Sequence, residues 1–286
     1  MIRLAVRVAR ADAEVALAGL LDLVPAGLEE IDRPDGTVEF AVYRPAGGPP
    51  DPAAVRAALG AVVLGLSSTT VADDWAERWR EFHRPSRVGD RLWVRAPWEP
   101  PAASGLIDIE IEPAQAFGTG SHPTTRLCLG LLLALVEAGE AAGPLLDIGC
   151  GSGVLAIAAA KLGWSPVAGL DHEAESVAAT RANAAANAVA VDARHADILV
   201  ERPPSAPVVT ANLLAPLLVG LAARMTGRPR HLIAGGLTPD QADEVVAAFA
   251  RHRGLGERER RHESGWTALH LIAADARPAP AARPLS

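Results

Sequence analysis

Leu145-Leu146-Asp147-Ile148-Gly149-Cys150-Gly151-Ser152-Gly153-Val154 decides the fold: an apolar strand runs into three glycines and then into an Ala-rich helical stretch. Glycines there permit a tight turn and a close approach to the backbone at the carboxyl end of a strand, where open α/β sheets bind ligands. The spacing excludes the usual nicotinamide fingerprint. G-x-G-x-x-G needs a glycine where Val154 stands, and the third glycine arrives one residue early. An ordinary P-loop is excluded too, because the single lysine of the chain, Lys161, follows Ala160 instead of a glycine.

On the carboxyl side of this stretch, strands and helices alternate. Strand 144–148 precedes helix 154–162, strand 165–171 precedes helix 173–188, strand 208–211 precedes helix 214–225, and strand 231–234 precedes helix 240–250. Two further strands are expected near 257–262 and 267–272. The alternation predicts an α/β, mostly parallel, seven-stranded sheet covered by helices on both faces. Asp171 closes the second strand, and D-x-G-x-G-x-G followed by such an acid resembles the S-adenosylmethionine signature of Rossmann-like methyltransferases. That cofactor carries no phosphate, so its loop needs no lysine or arginine. Asp171 is then placed to accept hydrogen bonds from two ribose hydroxyls. Asp147 either orders the loop or faces the methionine ammonium through water, and Asp197 meets the adenine amino group.

On the amino side lies Glu112-Pro113-Ala114-Gln115-Ala116-Phe117-Gly118-Thr119-Gly120-Ser121-His122-Pro123-Thr124-Thr125, a glycine-rich turn before a helix with Thr124 or Thr125 as the expected N-cap. Thr210-Ala211-Asn212-Leu213-Leu214-Ala215-Pro216 stands at a strand end, with Asn212 where such enzymes receive the nucleophile. Further upstream, Trp75, Trp79, Phe82, Trp93, Trp98 and Phe117 put 6 of the 11 aromatic residues within 43 positions. The spacing of Trp75, Trp79 and Phe82 predicts one face of a helix. The first 71 residues read β-α-β-β-α-β, with a turn at Pro34-Asp35-Gly36 and a helix opened by Asp51 and Pro52. That order predicts a ferredoxin-like module. The expected organisation is a ferredoxin-like domain over 1–71, an aromatic-rich connecting helix or linker over 72–98, a methyltransferase domain over 99–275 and a disordered tail over 276–286.

Together these stretches resemble the bacterial family that methylates ribosomal protein L-eleven (the PrmA family). The resemblance runs from Trp75 to Leu271 and includes the late Gly265-Trp266; its most specific part is Ala116-Phe117-Gly118-Thr119-Gly120 with His122-Pro123-Thr124-Thr125. It implies cofactor contacts at Thr125, Gly149, Asp171 and Asn212, with Gly151 in the same loop. Phe117, Gly118, Thr119 and Gly120 would form the loop beside the methyl group, with Asn212 and Phe117 acting on the acceptor amine. The sequence departs from the family at Glu112-Pro113-Ala114, at Asp171-His172-Glu173-Ala174 and at Ala234-Gly235. The N-terminal third, which selects the substrate, matches in pattern only. An electron-transfer flavoprotein subunit, the acceptor of related enzymes, is therefore the alternative substrate.

Composition narrows the rest. A net charge of −7 opposes direct binding to a nucleic-acid backbone. Cys128 and Cys150 stand 22 positions apart without ligand-spaced partners, so no metal site is expected. The longest apolar run, 127–136, stops well short of the ~20 residues that cross a bilayer. A cytoplasmic, monomeric enzyme is expected. A nicotinamide oxidoreductase and a non-catalytic cofactor binder are the competing classes; binding of NAD, or absence of turnover, would favour them.

The amine must be neutral to attack. A lysine of pKa ~10.4 is free base at about 1 part in 2,500 at pH 7, a deficit of roughly 4.6 kcal/mol, against about 1.4 kcal/mol for an α-amine. No base is evident: His122 reads as a loop-packing group, His172 as an exposed neighbour of Asp171, and Lys161 lies inside a helix. Positioning and desolvation are the expected means, with Asn212 Oδ1 holding the amine.

Overall fold

The alternation of apolar residues in Ile2–Ala9 buries Leu4, Val6 and Val8 on one side of a strand. In the computed structural model, which describes residues 2–21, 23–24, 28–33, 35–44, 51–70, 84–113, 120–204 and 206–273, that strand (β1) begins the first of two units. The unit continues through α1 (Ala13–Leu21), β2 (Glu29–Asp32), β3 (Thr37–Arg44), α2 (Pro52–Leu59) and β4 (Val63–Thr70). Its sheet has the order β2-β3-β1-β4 with antiparallel pairs, the order a ferredoxin-like fold requires. Asp51 Oδ1 accepts the Ala54 N–H at 2.7 Å and caps α2, with Pro52 in the first turn. Val38, Phe40 and Val42 join the β1 residues against Ala16, Leu20 and Val55. Glu39, on the other side of the sheet, pairs with Arg3 and Arg33.

The division between units falls after Phe82. The expected helix of Trp75, Trp79 and Phe82 and the tail after 273 lie outside the described residues. The stretch read from sequence as a connector holds two strands that the aromatic cluster obscured. Ser86–Val88 (β5) and Leu92–Arg95 (β6) join Ile107–Glu110 (β7) in a three-stranded sheet, with β6 and β7 parallel. Val88, Leu92 and Val94 point into the core of the second unit, a period-2 pattern.

The seven-stranded sheet is present as expected. After α3 (Pro123–Glu137) come β8 (Leu145–Ile148), α4 (Val154–Leu162), β9 (Val167–Asp171), α5 (Ala174–Ala186), β10 (Asp192–His195), β11 (Val208–Asn212), α6 (Ala215–Arg224), β12 (His231–Leu237), α7 (Ala242–Arg253), β13 (Leu255–Glu263) and β14 (Trp266–Ala273). Strand order is β10-β9-β8-β11-β12-β14-β13; the first five are parallel, and β14 runs antiparallel to both its neighbours. One core lies under α3 and α4, the other under α6 and α7, so both faces are covered. The carboxyl ends of β8, β9 and β11 carry Asp147, Asp171 and Asn212 to one edge. Chain order reverses direction about β8, which opens a crevice there.

Two asparagines one turn apart, Asn183 on α5 and Asn187 as its C-cap, tie the glycine loop to the exit of β7. Asn183 Oδ1 accepts the Glu112 N–H at 3.0 Å while its Nδ2 donates to Ser152 O at 2.8 Å. Asn187 exchanges two hydrogen bonds with the backbone of Glu110. The glycine loop and the strand leading to residue 113 thus share a brace. Asn183→Ala removes the acceptor of the Glu112 N–H and a donor to the Ser152 carbonyl, and is expected to cost about 2–4 kcal/mol in urea unfolding; an unchanged midpoint would show that water replaces both bonds.

Candidate active site

Gly149, Gly151 and Gly153 all take positive φ, at 72°, 52° and 85°. The Gly149 and Cys150 N–H groups donate to Leu170 O. A Cβ on Gly149 would lie 2.4 Å from Leu213 Cδ2, and one on Gly153 2.9 Å from Thr180 Cγ2. These two glycines therefore serve close packing of the loop against β11's exit and α5. Asp171 is buried; its Oδ2 accepts the Gly151 N–H at 2.9 Å and its Oδ1 the Glu173 N–H at 3.0 Å.

These residues wall a cavity of about 320 Å³, within the range of small-molecule sites. Asp171, Asp197, Ile198 and Leu199 border it, as do Thr125, Asn212 and Leu213. Asp197 Oδ1 accepts the Leu199 N–H at 2.8 Å, and Arg224 holds the carbonyls of Ile198 and Val200. Leu199 is 56% exposed, so an apolar side chain stands open to solvent at the cavity's border.

Thr125 Oγ1 and Asn212 Oδ1 are buried and have no hydrogen-bond partner among the described residues. A buried acceptor without a donor is costly, which marks a place where a ligand supplies the missing hydrogen. Asn212 is crowded into position. A methyl placed on Gly235, opposite it in β12, would lie 2.4 Å from Cys128 Sγ and 2.9 Å from Asn212 Oδ1. Sequence reasoning missed Gly235 and Cys128, since both are brought to Asn212 by strand register and by α3 crossing the sheet.

The helix cap also differs from expectation. His122, not Thr124 or Thr125, is the N-cap of α3, because Pro123 occupies the first turn and His122 Nδ1 accepts from Thr124 N. Gly120 has φ 88°, and a Cβ there would lie 2.4 Å from Val94 Cγ1, so it serves packing against β6. Phe117, Gly118 and Thr119 lie outside the described residues. His172 is exposed and lies 3.4 Å from Asp171 Oδ1. Among the described residues no group of three or more metal-ligating side chains occurs, and no helix is long and apolar enough to cross a membrane.

The family model for ribosomal protein L11 methyltransferase (PrmA) matches residues 59–273. The chain belongs to the PrmA family. It is 40% identical over 207 residues to the ribosomal protein L11 methyltransferase of Geobacter metallireducens, covering 71% of this chain and 67% of that relative. With the one from Cupriavidus necator it shares 39% over 230 residues, covering 77% and 74%. The matches thus span about two thirds to three quarters of these PrmA relatives' length. A crystal structure of ribosomal protein L11 methylase from Lactobacillus delbrueckii subsp. bulgaricus superposes with a TM-score of 0.58 at 25% identity, covering 67% of this chain and 99% of that one. A flavoprotein acceptor gains no support from PrmA membership.

Two buried titratable groups are expected to act on the pH dependence of stability in opposite directions. Asp147 accepts from Thr210 Oγ1 at 2.6 Å, yet burial pushes its carboxyl up to about 7. His270 lies 3.0 Å from His231 Nδ1 at the opposite edge of the sheet, near Glu140 and Arg230; burial, then the neighbouring His231, pull it down to about 4. The folded chain holds a proton on Asp147 that the unfolded chain releases near 3.8, so that contribution is lost as pH rises toward 7. The unfolded chain protonates His270 near 6.5 and the folded one does not, so stability is lost as pH falls from 6.5 toward 4. The two slopes oppose each other across the same window. Asp147→Asn is expected to steepen the fall of Tm on acidification, and His270→Gln to make Tm rise instead. Parallel Tm profiles in the two variants would refute the offset.

Proposed function

We propose that this chain transfers methyl groups from S-adenosyl-L-methionine to amino groups of ribosomal protein L11, both lysine side chains and the N-terminal α-amine, in the cytoplasm. The observation that carries it is that Asn212 and Thr125 both line the walled cavity and each keeps a buried side-chain oxygen without a hydrogen-bond partner among the described residues. An N–H donor completes Asn212 Oδ1, and a reacting amine is such a donor. PrmA membership supplies the acceptor protein.

The cavity suits the cofactor. At one end Asp171 keeps lone pairs free for two ribose hydroxyls after serving Gly151 and Glu173, because each carboxylate oxygen has two. Asp197 and Ile198 would border the adenine, with one oxygen of Asp197 already committed to its own loop. At the other end Thr125 Oγ1 offers an unspent hydroxyl to the amino-acid part. Gly149 and Gly151 support the loop between, and Asp147 orders it through Thr210. When bound, the cofactor supplies an electrophilic methyl on a sulfonium. What remains for the chain's own residues is to hold a neutral amine in line. Asn212 Oδ1 accepts one N–H and so directs the nitrogen lone pair away from itself, toward the methyl. Burial beside Leu213 in the cavity would disfavour the ammonium form.

Incubating purified ribosomal protein L11 with this enzyme and isotope-labelled cofactor, then mapping the label, tests the reading. Label on L11 amines is expected; label absent from L11 but present on another protein would overturn the acceptor, and binding of NAD in place of the cofactor would overturn the chemistry.

A further inference from the structure

Which end of the Asn212 amide faces the acceptor is the question on which the proposed chemistry turns, since oxygen would hold an amine and the NH2 end would repel its hydrogens. Two side chains outside the implied cofactor contacts answer it. His122 Nδ1 lies 3.3 Å from the Thr124 backbone N and 2.7 Å from Thr124 Oγ1, and Thr124 Oγ1 lies 3.3 Å from Asn212 Nδ2. We propose that His122 and Thr124 are positioning residues that fix the Asn212 amide with Oδ1 toward the acceptor, through a one-way chain of hydrogen bonds. The proposal rests on the reading of Asn212 as the group that receives the amine.

The direction of the chain follows from donor and acceptor inventory. A backbone N–H only donates, so His122 Nδ1 is a lone pair and the imidazole is neutral with its proton on Nε2. A lone pair at Nδ1 requires the Thr124 hydroxyl hydrogen to point at it. That uses the only hydrogen Thr124 Oγ1 has, and leaves lone pairs facing Asn212. Only a donor fits against them, so Asn212 presents Nδ2 there and Oδ1 faces the other way, where it is buried without a partner. The imidazole is held by Trp266 of β14, edge-on with ring centroids 5.1 Å apart and planes at 66°. The late Gly265-Trp266 pair, far from the glycine loop in sequence, acquires a purpose by this contact.

Protonation at Nδ1 reverses the chain. Nδ1–H then donates to Thr124 Oγ1, the hydroxyl hydrogen is released toward Asn212, and the oxygen end of the amide becomes the better partner for it. The charged groups around His122 oppose that event at neutral pH. Arg126 on α3 is a neighbouring cation, itself paired with Glu263 of β13, and burial followed by Arg126 holds the imidazole below its ordinary range.

Steady-state kinetics and calorimetry on single variants test this. Thr124→Val keeps the side-chain shape and removes the hydroxyl; kcat is expected to fall about 10–100-fold with cofactor Kd within about twofold. Thr124→Ser restores the hydroxyl and is expected to recover most of the loss. The pH profile separates positioning from mere structure. Deprotonation of the amine gives log kcat a slope of one on the acid side, and the chain's reversal adds a second unit below the His122 titration. In His122→Asn, whose Oδ1 caps the helix without titrating, the slope stays at one throughout whatever the absolute rate. Unchanged kcat in Thr124→Val, equal losses of kcat and cofactor affinity, no recovery in Thr124→Ser, or a second unit of slope retained in His122→Asn would each overturn the proposal. Should Asn212→Ala itself turn over normally, the underlying reading of Asn212 fails; should that variant be impaired while Thr124→Val is not, the positioning chain alone fails.

Discussion

Asn212→Ala is expected to lower kcat by about 10²–10³-fold, the range seen when one oriented polar contact to a reacting group is removed. The substitution deletes the one buried oxygen at this end of the cavity that awaits a hydrogen from the ligand side, apart from the Thr125 hydroxyl. It also frees Thr124 Oγ1 from its 3.3 Å bond with Nδ2, which α3 survives because its cap is made by His122. Cofactor affinity is expected to stay within about threefold, since the ribose end of the cavity is built by Asp171 and Asp197 on other strands. The loss therefore falls on kcat and on kcat/KM alike, the pattern of an interaction made in the transition state. Stopped turnover with unaltered calorimetric binding would agree; a Kd raised in proportion to the lost rate would show that Asn212 serves the cofactor alone.

The sheet was legible because its strands are short, buried and separated by helices of ordinary length, so that period and glycine punctuation agree with each other. The positions of Asp171 and Asn212 were legible for the same reason: each stands at the end of a strand that the alternation marks, and Asp147 stands one residue before the end of another. Strands β5 and β6 were not, since Trp93 and Trp98 drew attention to aromatic content while the signal lay in Val88, Leu92 and Val94. Gly235 beside Asn212 depends on the register of β11 against β12, and Cys128 on how α3 lies across the sheet. Neither is encoded within a window of neighbouring residues. Asn183 and Asn187 had a visible sign, two polar residues four apart in an Ala-rich helix, but their partners Glu112 and Glu110 are more than 70 positions away. His122 looked like packing and proved to be the cap, a distinction that Pro123 at the first turn of α3 could have suggested.

Asp171→Ala should produce the mirror image of the Asn212 result, a cofactor Kd raised by about 100-fold or more with kcat at saturation little changed. Its carboxylate fastens two elements at once, the glycine loop through Gly151 N–H and the start of α5 through Glu173 N–H. Hydrogen bonds to a charged acceptor are worth about 1.5–3 kcal/mol each, so losing those to two ribose hydroxyls amounts to about 3 kcal/mol or more. At 1.4 kcal/mol per factor of ten that is at least two orders of magnitude in Kd. Loosening of the loop adds to this, because Gly151 and Glu173 lose their acceptor even before ligand arrives. Asp171→Asn separates the two contributions: its single oxygen can still serve one backbone N–H, but its NH2 group opposes the other donors, and an intermediate Kd is expected. Methylation rates at saturating cofactor should then be within about threefold of the native enzyme, since Asn212 and Thr124 stand on β11 and α3 and keep their geometry. A native Kd in Asp171→Ala would place the ribose elsewhere in the cavity, whereas a normal Kd with reduced kcat would move Asp171 to the acceptor side of the reaction.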